Sequence, residues 1–109
     1  MLVTETRERK RTMNPTPKYF DFGQALTMLK GGLKVARYGW NGKNMCVAYQ
    51  KGYPDGIPCN AQTAKTWGMR EGDLFKCRPY LQMRCADGTF PIWVASQPDI
   101  LAEDWYITE

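Results

Sequence analysis

The chain has 109 residues, 43% hydrophobic and 13% aromatic, with 15 basic groups, 11 acidic groups and no histidine. That composition points to one globular domain and excludes a disordered chain. The missing histidine removes the commonest general base, metal ligand and triad member together.

The net charge of +4 sits mostly at the N-terminus, where residues 1–18 carry Arg7, Arg9, Lys10, Arg11 and Lys18 against Glu5 and Glu8. Those residues are expected to form a basic mobile arm, followed by a single ligand-binding domain over residues 19–109. The domain itself is nearly neutral, which argues against polymeric nucleic acid or a membrane surface as partner. No run approaches the ~18 apolar residues of a membrane span. The N-terminus also lacks the apolar stretch of a secretory signal. Cys46, Cys59, Cys77 and Cys85 form no CxxC pair. Free thiols in a reducing cytoplasm are therefore expected, with no metal site.

The first ordered element is a helix. Asp21 caps it with Gln24 three residues on. Phe22, Ala25, Leu26 and Leu29 fall at helical spacing, and Gly31-Gly32 ends it. A hairpin is expected next, with Leu33–Trp40 and Lys43–Gln50 joined by Asn41-Gly42. A two-residue turn there pairs Ala36 with Val47 and puts Ala36, Tyr38, Met45 and Val47 on the core side. Gly39 then marks a bulge, and Trp40 stands at an exposed corner.

Lys51–Pro79 reads as a long, mostly irregular insert with one short helix, Ala61–Trp67, capped by Asn60 and stopped by Gly68. A second hairpin follows: Tyr80–Ala86, Asp87-Gly88, Thr89–Ala95. With a two-residue turn, Leu81, Met83, Cys85, Phe90, Ile92 and Val94 face the core. Tyr80, Gln82, Arg84 and Trp93 then share the opposite face. Pro91 demotes the last strand to an edge or forces an adjusted register. The expected fold is α+β: a small antiparallel sheet of two hairpins, packed by the N-terminal helix and extended by a long, partly helical insert.

No nucleophile–base pair, metal cluster or phosphate-binding glycine loop stands out, so no catalytic role is assigned and no cofactor is expected. What remains suits binding. Trp93 offers an aromatic plate beside the Gln82 amide and the Arg84 fork, with Tyr80 near, a set that fits a base and its phosphate. The same residue types also suit a subunit interface, and a ligand site between subunits satisfies both readings. Asn41-Gly42 is accounted for by the turn alone. Ser96, Gln97 and Asp99 are accounted for by capping, or they border the same site. Lys76 and Arg78 near Tyr80 read as solvated charge or as a basic rim.

From Asp21 to Thr108 the sequence resembles the Thoeris anti-defence 2 family of phage proteins. The resemblance rests on DFGQALTMLKGG, KVARYGWNGKNM and PYLQMRCADGTFPIWVASQPDILAEDW. It implies a protein that sequesters cyclic ADP-ribose isomers made by defence TIR enzymes, and in some members cyclic dinucleotides from cGAS-like enzymes, without cleaving them. It also implies a homotetramer with pockets at subunit contacts, acting in the cytoplasm of the infected host. The positions that match the family pattern are Trp40, Asn41, Gly42, Trp93, Ser96, Gln97, Asp99, Asp104 and Trp105. The rival expectations are an enzyme that cleaves a nucleotide signal and a structural or DNA-binding accessory protein.

Overall fold

Local capping starts the fold where the sequence places it. The structure, a computed structural model, describes residues 18–109. The basic arm expected over residues 1–18 therefore lies outside the described residues except for Lys18. Helix α1 spans Phe22–Lys30, and its capping box is complete: Asp21 accepts from the Gln24 backbone and Gln24 accepts from the Asp21 backbone. Ala25 and Leu29 are wholly buried beneath it. A side chain such as Leu29 contributes about 1.5–3 kcal/mol on burial.

The remaining elements are β1 (Val35–Arg37), β2 (Cys46–Gln50), β3 (Tyr53–Pro58), α2 (Ala61–Trp67), β4 (Leu74–Cys77), β5 (Tyr80–Arg84), α3 (Gln97–Leu101) and β6 (Trp105–Ile107). One sheet has the order β5-β2-β1-β6, antiparallel throughout, and β3 pairs with β4 in a second, two-stranded sheet. The fold is α+β. The main sheet is not two paired hairpins, however. Its second edge is β6 from the C-terminus, and residues 89–95 give β5 only a bridge and scattered backbone bonds.

The first hairpin departs from its expected geometry at several positions. In the first hairpin Val35, not Ala36, pairs with Val47, so Asn41-Gly42 is not a two-residue turn. Asp104 pulls the chain toward β6 instead: its carbonyl accepts from the Tyr38 amide and its carboxylate from the Gly39 amide. The chain closes a turn by donating from the Trp40 amide to the Arg37 carbonyl, so Gly39 lies in a turn and not in a strand bulge. Tyr38 is 72% exposed, where a core position was expected. Trp40 is half-buried against the core instead of standing at an open corner.

The second hairpin closes on three residues. The Cys85 amide donates to the Thr89 carbonyl, and Gly88 takes a left-handed φ of 86°. That conformation suits glycine in a three-residue loop. A one-residue slip moves every side chain to the other face. Gln82 therefore bridges Ile92, and the Trp93 amide donates to the Leu81 carbonyl. Phe90, Ile92 and Val94, expected in the core, are exposed, while Trp93 packs inward.

The insert, expected to be mostly irregular, is a β3–α2–β4 unit. Asn60 caps α2 and Gly68 ends it in the left-handed conformation, as the sequence implies. The main core gathers Phe20, Ala25, Leu29, Val35, Val47, Met83 and Trp105 between α1 and one face of the β5-β2-β1-β6 sheet. Among the described elements no helix covers the sheet's other face.

Candidate ligand-binding site

The residues singled out from the sequence fall on opposite faces of the main sheet. On the covered face, Trp105 is wholly buried, and its indole N–H donates to the Asp99 carbonyl at 2.9 Å. Its ring lies 5.3 Å from that of Trp40 and 6.0 Å from that of Trp93, both edge-on, with Phe22 at 5.5 Å. Such edge-to-face contacts add about 0.5–1.5 kcal/mol each beyond area burial. Trp105 offers no surface to a ligand, whereas Trp40 and Trp93 are half-buried and present only part of their rings.

A charged latch binds this cluster together. Arg37, which the sequence reading passed over, donates from Nε to Asp104 and from Nη1 to Asp99, each at 2.9 Å. The second Asp99 oxygen accepts from the Ser96 amide and hydroxyl, completing the capping box of α3. Burial pushes the Asp99 carboxyl up, but the bonds from Arg37 and Ser96 outweigh it and hold the group below the usual carboxylate range. The Arg37 bond likewise holds Asp104 low, and the two carboxylates raise the Arg37 guanidinium. Asp99, Asp104 and Ser96 therefore spend their polar groups inside the protein. Gly42 lies in close contact with Met45 and Ala86. Asn41 and Gln97 are the exposed amides of this side.

The uncovered face holds Tyr80, Gln82 and Arg84, as their alternation on β5 requires. Register places Gln82 opposite Ala48, Tyr80 opposite Gln50 and Arg84 opposite Cys46. Tyr49, Lys51, Tyr53, Tyr80 and the Gln50–Gln82 pair line a cleft of about 470 Å³. Gln50 donates to Gln82, and Gln82 donates to the Phe90 carbonyl. A second hollow of about 220 Å³ continues past this pair toward Lys34, Arg84 and Phe90. Arg84 is not free: it donates to the Asn44 carbonyl and pairs with Glu109.

Tyr49, Gln50, Lys51 and Tyr53 were missed by sequence reasoning. The signal was present for Gln50, which sits on β2 opposite Tyr80, whereas Tyr49 sits opposite Leu81 and packs against the core. Lys51 and Tyr53 join the cleft only because the insert turns back at Gly52. Among the described residues no group of three or more cysteines and acids is placed to hold a metal. The chemistry available is stacking, amide hydrogen bonding and one cation at the cleft.

Fold and site thus define a small α+β domain that leaves one sheet face open, rimmed by phenols and amides. Residues 20–108 match the family described as Thoeris anti-defense 2-like domain. The Thoeris anti-defense 2 protein of Bacillus phage SP01 is 37% identical over 89 residues, covering 79% of this chain and 91% of that protein. The chain belongs to the Thoeris anti-defense 2-like family.

Proposed function

We propose that this is a phage anti-defence protein that binds cyclic nucleotide immune signals and withholds them from their receptor without cleaving them. Cyclic ADP-ribose isomers are the first ligands, with cyclic dinucleotides as a second class. The observation that carries this reading is the open sheet face, where Tyr53 and Tyr80 border a cleft beside the Gln50 and Gln82 amides. Phenol rings can stack on bases, and amides can pair with base edges. The family match supplies the anti-defence setting.

Affinity needs several such contacts at once. A nanomolar sponge requires about −12.3 kcal/mol, and one stacked base contributes only about 1–3 kcal/mol. A site shared between copies multiplies the contacts. Phe90 and Ile92, 58% and 68% exposed, lie on the cleft's own face, so association through that face would bury them and wall the ligand in. The homotetramer is accordingly part of the proposal, as is action in the infected cell's cytoplasm.

Calorimetric titration with a cyclic ADP-ribose isomer tests the placement. Tyr80→Ala is expected to weaken binding at least tenfold while leaving the fold intact. Equal affinity in the variant would move the site to the other face, around Asn41, Gln97 and the exposed edges of Trp40 and Trp93.

A further inference from the structure

Two walls of the tyrosine cleft have different origins. Tyr49, Gln50, Tyr80 and Gln82 come from the paired strands β2 and β5 and are fixed by their ladder. Lys51 and Tyr53 come from the bend where the chain leaves the sheet for the β3–α2–β4 insert. Gly52 sits between them at φ 67°, and a Cβ there would lie 2.5 Å from the carbonyl oxygens of both Cys77 and Arg78. The bend is therefore pressed against the end of β4, and Tyr53 is held by pairing with Cys77. These two positions are built as firmly as the strands, yet they belong to the insert.

Charge sets Lys51 apart. Lys34 and Arg84, the cations that line the adjoining hollow, both pair with Glu109, at 3.5 and 3.4 Å. Lys51 lines the cleft and has no acidic partner among the described residues. Tyr53 keeps half its surface exposed, and its hydroxyl makes no hydrogen bond among the described residues. An exposed ring beside an uncommitted ammonium suits a planar base that carries an anionic group.

We propose that Lys51 and Tyr53 set the ligand choice of this cleft, selecting a nucleoside monophosphate unit over a neutral nucleoside. Tyr53 takes one face of the base, the Gln50–Gln82 pair meets the base edge, and Lys51 takes one phosphate. The proposal rests on the cleft being the binding site put forward above, and it assigns specificity to the insert. A single lysine can match one phosphate at a time. In a cyclic ligand with two phosphates, the second must be met by groups outside this cleft.

The test uses the full chain with adenosine and adenosine 5′-monophosphate, followed to millimolar concentration by backbone amide shifts of residues 49–53 and 80–82. The unsubstituted protein is expected to prefer the monophosphate. Lys51→Met should shrink that preference about fivefold, the worth of one exposed ion pair. The preference should also fade with added salt. Tyr53→Leu should weaken both ligands about tenfold through lost stacking. Thermal melting of each variant separates these losses from misfolding, since both side chains are exposed. A preference unchanged in Lys51→Met, or affinities unchanged in Tyr53→Leu, overturns the assignment. If the unsubstituted protein captures a cyclic ADP-ribose isomer yet neither adenosine probe shifts these amides, the specificity claim alone falls. If it captures no cyclic nucleotide at all, the functional reading falls with it.

Discussion

Trp93 and Trp105 share a ring cluster but face different tests. Trp105→Ala removes a wholly buried indole and strands the Asp99 carbonyl it serves. The expected loss is about 3–5 kcal/mol, read from urea unfolding. Trp93 is half-buried, so Trp93→Ala should cost about 1–3 kcal/mol. An unchanged unfolding midpoint with lost binding would return Trp93 to the ligand. Arg37 carries a different expectation. Replacing it with Met leaves Asp99 and Asp104 facing each other without their cation, at a cost of about 2–3 kcal/mol near neutral pH. Both carboxylates are held below the ordinary aspartate value in the folded protein. Their stabilisation is therefore complete above about pH 4 and is lost as pH falls through their folded values. Circular dichroism against pH should show that acid-side loss in the parent and a flatter profile in Arg37→Met. Identical profiles would contradict the latch.

At the scale of elements, turn length decided what could be read from sequence. Helix α1 was legible because capping and helical spacing are local. Tyr80, Gln82 and Arg84 were legible because alternation along one strand does not depend on its partner. Trp93 was misplaced because its face depends on whether the loop before it holds two residues or three. Gly88 in the left-handed conformation gave the longer answer. Arg37, Lys51 and Tyr53 were not legible as site residues because pairings distant in sequence, β1 with β6 and β3 with β4, bring them into place. The strong Asn-Gly turn signal was overridden by Asp104, which lies far along the chain and captures two backbone amides. Gly52 gives the element-scale prediction. Gly52→Ala forces a Cβ against two carbonyls at a left-handed φ, so the insert must shift. Amide shifts should move across residues 51–58 and 74–80, with weaker ligand binding and an intact main core. Shifts confined to residue 52 and its neighbours would show that the bend does not anchor the insert.

For the whole molecule, two exposed surfaces need an explanation. The β3–β4 sheet is two-stranded, and Trp67, Leu74 and Tyr53 around it are more than half exposed. A two-stranded sheet alone is marginal in water. Phe90, Ile92 and Val94 add a second apolar group on the main body. The proposed association of copies would cover such surfaces, and light scattering at micromolar concentration should then return a mass near four chains of 12.5 kDa. A monomer mass would contradict the assembly. Capture without chemistry is decided by what the protein releases. The protein is incubated with a cyclic ADP-ribose isomer, freed of unbound ligand, heat-denatured, and the supernatant analysed by mass spectrometry. Sequestration predicts the ligand released intact in proportion to protein. Cleaved or rearranged ligand would make the protein an enzyme, and ligand-free supernatant would leave it a structural accessory; either result contradicts sequestration.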